Sequence, residues 1–251
     1  MTPSWCIEEA NLSHAWARAV RPLLGGGPEE RGPVAVSITG FSSDGVVHED
    51  GKIRDALDSI LPEDAQCRTV ASTIFPQSLW NPALPRAALF DRYKQLLKKI
   101  GKMKGNHSGL YFQRMTADGR DKNANQLDDV LTEYLARPGV RRSALQVGIF
   151  DPKRDQIGSR PRGFPCLQQV SFAPLEEGLS VNAFYASQYA IGRAYGNYLG
   201  ICGLGQFVAH ELKVKLVRVT ILTGILQRDY PVNTVRNLQT TIDTQLKGGT
   251  P

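Results

Sequence analysis

The sequence predicts an α+β domain, because segments of helical and of strand periodicity follow one another along a chain of 251 residues. Residues 125–136 place apolar side chains at helical spacing behind an asparagine, whereas Leu145, Val147 and Ile149 alternate with small or polar residues as a strand does. No linker-like change of composition divides the chain, and no internal repeat is present. We therefore expect a single domain over residues 1–251.

The first half of the chain predicts helices with one strand between them. Apolar residues at helical spacing predict a helix over residues 7–24, which a Gly-Gly-Gly-Pro stretch ends. Residues 34–38 predict a strand, and further helices are expected at about 52–61 and 89–100.

The second half predicts a hairpin followed by a helix and a strand. Residues 167–173 and 179–187 predict two antiparallel strands joined by a turn that contains glycine. Residues 189–211 predict a glycine-rich helix packed closely against this hairpin, and residues 213–226 predict a strand. The last twenty residues are polar, so we expect the end of the chain to fray.

Composition and charge restrict the class of protein. The formal net charge of +6 suits an anionic partner, and the four cysteines lack the repeated short spacing of a disulfide framework or a zinc ribbon. None of the four histidines stands at metal-ligand spacing from another histidine or a cysteine, so we expect no metal. No apolar run reaches the roughly 18 residues of a membrane span, and the first residues lack the pattern of a signal peptide. We expect a cytoplasmic protein without a membrane partner.

Two other functions, nucleic-acid binding and cysteine-dependent hydrolysis, fit the residues less well. The lysines between Lys94 and Lys104 would suit a phosphate-binding surface for nucleic acid, but a solvated helix face explains them as well, and we expect no nucleic-acid partner. A cysteine hydrolase would need an imidazole beside a thiol, and the sequence gives no histidine that position.

Several short motifs in residues 109–200 stand in an order that can be compared with a known family. Asn125-Gln126-Leu127 begins a helix, Arg141-Arg142 precedes a strand, and Pro165-Cys166 begins the next strand. Ser187 and Asn197 follow Cys166 without a gap in register. This pattern resembles the thymidylate synthase family, which includes the pyrimidine-nucleotide hydroxymethylases.

The resemblance implies a thymidylate-synthase-like fold, an α+β domain of three α/β layers with a mixed, largely antiparallel sheet flanked by helices. It also implies a homodimer and a pyrimidine nucleoside monophosphate as substrate. In such an enzyme the Cys166 thiolate adds to C6 of a uracil-type ring, and C5 accepts a methyl or hydroxymethyl group from methylenetetrahydrofolate. The implied activity is therefore that of a one-carbon transferase, a methyltransferase in the broad sense.

The resemblance also assigns roles to further residues. Arg141, Arg142 and Ser187 would bind the 5′-phosphate, and the arginine pair, which reaches across the dimer interface in the family, would lower the thiol pKa. Asn197 would read the edge of the pyrimidine, since its amide offers a donor and an acceptor. Tyr111 is the candidate for a further catalytic residue that lines the site, with Arg114 as the other lining candidate.

The chain departs from the family pattern at several positions. Ala186 stands where the family has a phosphate-binding arginine, and Tyr189 replaces the aspartate that orders the folate. Gln227 and Asp229 fall near the positions of the pair that binds the sugar hydroxyl, and Asp91 is the candidate for the proton-relay carboxylate. These departures define an alternative, a folate-independent or catalytically inactive nucleotide-binding or interaction protein on the same fold.

Overall fold

The computed structural model of the chain describes residues 6–100, 109–116, 125–137, 139–156 and 165–248. The helices of these residues are α1 (Leu12–Val20), α2 (Gly51–Asp58), α3 (Cys67–Ile74), α4 (Arg86–Ile100), α5 (Tyr111–Thr116), α6 (Gln126–Ala136), α7 (Pro152–Asp155), α8 (Ala194–Leu212) and α9 (Arg236–Gly248). The strands are β1 (Cys6–Glu9), β2 (Glu30–Arg31), β3 (Val34–Ile38), β4 (Gln146–Gly148), β5 (Leu167–Pro174), β6 (Leu179–Tyr189) and β7 (Leu216–Gln227).

The strands form one mixed sheet in the order β1-β3-β7-β6-β5-β4, and β2 pairs with β7. The pairs β1/β3 and β6/β7 are parallel, and the remaining strand pairs are antiparallel. Helices pack against this sheet. The predicted α+β architecture with a mixed, largely antiparallel sheet is therefore confirmed at this level.

Helix α8 connects the parallel strands β6 and β7 and lies on one face of the sheet together with α1. The Trp16 ring of α1 meets the Tyr195 ring of α8 edge to face at 5.5 Å, and its indole N–H donates to the Ala190 carbonyl at 2.9 Å. Both rings are fully buried. These contacts fix the first turn of α8 relative to the end of β6, where the candidate site lies.

The opposite face of the two central strands is open. On β6, Val181, Ala183 and Tyr185 are buried, whereas Phe184 is 42% exposed, and its register partner Leu222 on β7 is 38% exposed. This alternation is the period of two that a strand imposes on its side chains. The third layer expected from the sequence therefore does not cover these strands within the part of the chain that the structure describes.

Two glycines allow α8 to approach another helix closely. A Cβ added at Gly196 would lie 2.5 Å from the Val70 side chain of α3, and one added at Gly200 would lie 2.8 Å from Ile74. The sequence predicted that the glycines of this helix pack against the hairpin. At these two positions the close neighbour is α3 instead.

The ends of the chain differ from the sequence-based expectation. Residues predicted to begin the first helix form β1, because Cys6–Glu9 pair with β3, and the helix starts at Leu12. Helix α9 occupies the region expected to fray, since its Leu238 and Ile242 side chains are fully buried. Helix α8 begins at Ala194 rather than residue 189, because β6 continues to Tyr189.

Among the described residues, no helix combines the length and the hydropathy that crossing a membrane would require.

Candidate active site

Cys166 lies immediately before β5, at the end of the sheet where β6 finishes. Its carbonyl accepts a hydrogen bond from the Ala186 N–H at 3.0 Å, so β6 fixes the backbone of the cysteine. The thiol is free and half-buried. Because β5 and β6 are antiparallel, Cys166 stands beside Ala186 and Ser187 and close to the start of α8. The register that suggested the family therefore corresponds to a compact region of the fold.

Three described side chains from three elements are coupled electrostatically to the thiol. Tyr111 comes from α5, Tyr185 from β6, and Arg193 directly precedes α8. Burial raises the pKa of the Cys166 thiol, and the positive charge of Arg193 partly lowers it. Burial and a Cys166 thiolate raise the pKa of Tyr111 to about 12. At neutral pH both tyrosines therefore carry their protons and can donate hydrogen bonds.

Arg193 is a site residue that the sequence analysis missed. It occupies the N-cap position of α8, and no acidic residue stands in the first turn of that helix. A cation at the positive end of a helix dipole is unfavourable for the helix, so its presence there points to a negative partner. Its guanidinium is exposed and makes a 3.3 Å contact with the Asp64 carbonyl. The available signal was a cation in the first turns of the helix predicted over residues 189–211, four residues after the family position at Tyr189.

Asn197 lies one turn into α8 and is 4% exposed. Its backbone N–H donates to the Arg193 carbonyl at 2.9 Å, which continues the helix from its cap. Residues four apart share one face of a helix, so Asn197 and Arg193 are on the same side of α8. The side chain predicted to read a pyrimidine therefore shares a helix face with the cation that influences Cys166.

Ser187 and Asp229 lie around the same junction of β6 and α8. The Ser187 hydroxyl donates to the Gln227 side-chain oxygen at 3.5 Å, a long hydrogen bond. The Asp229 carboxylate accepts from the Ile191 and Gly192 N–H groups, both at 2.9 Å. Asp229 therefore holds the turn that carries Arg193. Gln227 and Asp229 fall near the positions of the family's sugar-binding pair, and neither is a histidine or a tyrosine.

Arg141 and Arg142 are far from the thiol of their own chain. Both are exposed and precede β4, whose Gln146 lies opposite Ser171 of β5. Cys166 is five residues from Ser171 toward the other end of β5, or about 17 Å along the strand. A single chain therefore does not bring the predicted arginine pair to the cysteine.

Helix α5, which carries Tyr111, is held in place by a buried polar cluster. The Arg114 guanidinium contacts the Asp155 carboxylate at 2.6 and 2.9 Å and donates to the Ile149 carbonyl at 3.1 Å. The Gln126 amide donates to the carbonyls of Arg114 and Gly148, both at 3.0 Å. Arg114, one of the candidates for lining the site, therefore supports α5 instead of facing a substrate.

The Asn125-Gln126-Leu127 motif has a structural role in this cluster. Asn125 caps α6 by accepting from the Asp128 N–H at 3.0 Å, as the sequence predicted. The Gln126 side-chain oxygen accepts from the Gly148 N–H at 2.9 Å and so completes the hydrogen bonds of β4. This motif therefore connects α5, α6 and the edge strand.

No described carboxylate is among the groups that shift the Cys166 pKa. Asp91, the candidate for the proton relay, is exposed in the middle of α4. The lysines of that helix, Lys94, Lys98 and Lys99, are also exposed, while residues 102 and 104 lie outside the described part of the chain. In that part, no group of three or more His, Cys, Asp or Glu side chains is arranged to hold a metal ion.

Comparison with known proteins adds no family assignment. No protein-family model matches the sequence, and no curated protein sequence matches it significantly. The resemblance to thymidylate synthases therefore depends on the motifs between residues 109 and 200.

Proposed function

We propose that the protein is a divergent thymidylate-synthase-like enzyme that activates C5 of a uracil-type nucleotide for transfer of a one-carbon unit. The observation that carries the proposal is the grouping of Cys166 with Arg193 and Tyr111 beside the start of α8. Asn197 lies on the same helix face as Arg193, where it would bind the ring. A soft nucleophile, a cation and an amide in this arrangement suit reversible addition to an unsaturated ring.

The proposed step starts from the thiolate, which Arg193 favours. The sulfur forms a bond to C6, and the C5–C6 π electrons move to the carbonyl at C4 to give an enolate. Protonated Tyr111 is the candidate donor to this negative charge. C5 then attacks an electrophilic one-carbon donor at the oxidation level of formaldehyde and loses its proton. Expulsion of the sulfur restores the ring.

The described residues do not reproduce a folate site. Tyr189 stands at the position of the folate-ordering aspartate, and its side chain is 54% exposed. A phenol there cannot supply the carboxylate that the family uses. The use of methylenetetrahydrofolate is therefore implied by the family resemblance alone.

Exchange of the C5 hydrogen tests the proposal without any folate. We expect the protein to release tritium from 5-tritiated UMP or dUMP, because addition of Cys166 makes the C5 hydrogen acidic. Cys166→Ser should lose this exchange while it retains nucleotide binding in calorimetry. Cys202→Ser is the matched control, since Cys202 is a buried thiol in the middle of α8 and should leave exchange unchanged.

The outcomes separate the two candidate functions. Binding without exchange in the wild-type protein would favour the inactive nucleotide-binding alternative, which Ala186 and Tyr189 motivate. Absence of both binding and exchange would contradict the proposed nucleotide chemistry altogether. Incubation with 5-fluoro-dUMP provides a second readout, because a covalent adduct on Cys166 is visible by mass spectrometry.

We further infer that the protein is a homodimer formed through the open face of β6 and β7. The outward residues Asn182, Phe184, Thr220 and Leu222 carry no charge. Arg218 of β7 lies on the same face but is ion-paired with Glu8, so a second copy can pack on this face without meeting an unpaired charge. Exposed apolar side chains that lie together are typical of such surfaces. A partner would also bring a second Arg141-Arg142 pair to the assembly.

The oligomeric state tests this inference. Phe184→Arg places a charge in the middle of the face and should convert the dimer to a folded monomer in light scattering at micromolar concentration. Val46→Arg is the control, because Val46 is 48% exposed in a loop beside α3 and α8, away from this face. A wild-type monomer, or a dimer that Phe184→Arg leaves intact, would contradict the inference.

A further inference from the structure

Three buried polar side chains near Cys166 have atoms without a hydrogen-bond partner. The Tyr185 hydroxyl and the side-chain nitrogen of Gln188 make no hydrogen bond with the residues that the structure describes. The Tyr198 hydroxyl makes no well-formed one either, although the Thr223 side chain lies within reach of it. All three side chains are at least 98% buried, since Tyr185 and Tyr198 are 0% and Gln188 is 2% exposed. Buried polar groups are almost always hydrogen-bonded to protein or to ordered water, so this group requires an explanation.

The sheet register places Tyr185 beside the first residue of β5. Tyr185 of β6 lies opposite Leu167, the residue that follows Cys166, and opposite Thr223 of β7. Burial raises the pKa of Tyr185, and the negative charges of ionised Tyr111 and Tyr198 and of a Cys166 thiolate raise it further. The Tyr185 hydroxyl is therefore both next to the start of β5 in the sheet and within electrostatic reach of the thiol.

The orientation of Gln188 is fixed by its other atom. The Thr223 hydroxyl donates to the Gln188 side-chain oxygen at 3.0 Å, so the oxygen is already used and the nitrogen keeps two N–H donors for another acceptor. The two tyrosine hydroxyls offer both donors and acceptors. One water among the three groups would receive and give about three hydrogen bonds, which is the usual number for a buried water.

We propose that Tyr185, Tyr198 and Gln188 hold an enclosed water through which Tyr185 donates hydrogen-bond stabilisation to the Cys166 thiolate. Tyr185 acts as a positioning residue, because it acts on the reacting sulfur through the water. A charge-assisted hydrogen bond to the thiolate favours its charged form, which burial alone disfavours. The proton leaves the thiol for solvent, and the two phenols remain protonated.

Other titratable and charged groups also face the thiol. Arg193 from the start of α8 favours the thiolate, and Tyr111 from α5 faces it from another side. The positive charge of Arg193 also acts on Asp229, which holds the turn in which Arg193 lies. The inference depends on Cys166 being a reactive thiol, as the proposed function requires, but on no particular substrate.

The rate of alkylation of Cys166 tests the inference directly. Iodoacetamide is added between pH 6 and 10, and the modified peptide is quantified by mass spectrometry. We expect Tyr185→Phe to lower the rate at pH 7 about tenfold while the limiting rate at high pH stays the same, as loss of a hydrogen bond to a charged group predicts. Tyr198→Phe should give a smaller fall in the same direction.

Tyr93→Phe is the matched control. The Tyr93 hydroxyl is also buried, but Cys166 is not among the groups that shift its pKa. This variant should leave the alkylation rate unchanged. A Tyr185→Phe protein with an unchanged pH profile would overturn the inference, and Tyr198→Phe decides the question if Tyr185→Phe does not fold.

The melting temperature gives a second readout, because a hydroxyl that holds water and an unpaired hydroxyl predict different changes in Tyr185→Phe. If the Tyr185 hydroxyl holds water, Tyr185→Phe removes a hydrogen bond and lowers the melting temperature. A higher or unchanged melting temperature, together with unchanged alkylation, would show a hydroxyl that is simply unpaired. Neither measurement uses a nucleotide, so failed C5 exchange with a normal Tyr185 effect would contradict the nucleotide chemistry alone.

Discussion

The two ends of β5 differ in how much of a site a single chain provides. At the Cys166 end, a thiol, a guanidinium and two tyrosines come together, and α8 adds Asn197 on the same face as Arg193. At the opposite end, Arg141 and Arg142 are exposed beside the edge strand β4.

This difference separates two kinds of evidence in the sequence. The spacing from Cys166 to Asn197 reflects neighbours within one chain, because a strand, a turn and the first turn of a helix determine it. The arginine pair has no such local neighbour at the thiol. If it serves the same site, it does so in a second copy of the protein.

Subunit complementation is the strongest test of whether the arginine pair serves the Cys166 site of a second copy. Cys166→Ala and the double variant Arg141→Ala/Arg142→Ala should each be nearly inactive in C5 exchange as separate dimers. When the two are unfolded and refolded together, half of the dimers are mixed and each has one intact site. We expect about one quarter of the wild-type activity in an equal mixture.

The alternatives to this result are distinct. A mixture as inactive as its parents would show that the arginines act within their own chain. An active double variant on its own would show that the arginines do not act on the substrate. The same mixture prepared with Phe184→Arg in both chains is the control, since monomers cannot share a site.

We expect a smaller effect when the positive charge of Arg193, at the Cys166 end of β5, is removed. Arg193→Gln removes the charge that lowers the Cys166 pKa, so we expect alkylation at pH 7 to slow by about tenfold. Because the thiolate is the reactive form, the rate rises with pH, and loss of Arg193 moves this rise to higher pH. Alkylation kinetics between pH 6 and 10 check the shift.

Arg193→Lys separates charge from shape in that experiment, since it keeps the positive charge and should retain most of the rate. Arg142→Gln in the monomeric Phe184→Arg background should leave the alkylation rate unchanged. A slow rate in this last variant would contradict the assignment of the two cations to different ends of β5.

Elements with strong local patterns could be predicted from the sequence. The hairpin of β5 and β6 alternates clearly, and α6 has both a cap at Asn125 and helical spacing. Strand β1 could not be predicted, because Cys6–Glu9 become a strand only through pairing with β3 about thirty residues away. In α9 the buried pair Leu238 and Ile242 was a helical signal that the polar composition obscured.

The candidate site was predictable to the extent that its residues follow a family spacing. Cys166, Ser187 and Asn197 were singled out in this way. Arg193 was not, since no family motif includes it and its effect depends on where the turn after β6 directs the side chain. Tyr185 was not singled out either, because only the fold brings its hydroxyl near the thiol.

The close contact between α8 and α3 has a consequence for engineering the protein. Replacing glycine by alanine inside a helix usually raises thermal stability, by about 1 kcal/mol at each position. At Gly196 and Gly200 the added methyl group would meet Val70 and Ile74 at 2.5 and 2.8 Å, so the usual gain becomes a loss. A search for thermostable variants should therefore leave these two glycines unchanged and start from exposed positions of other helices.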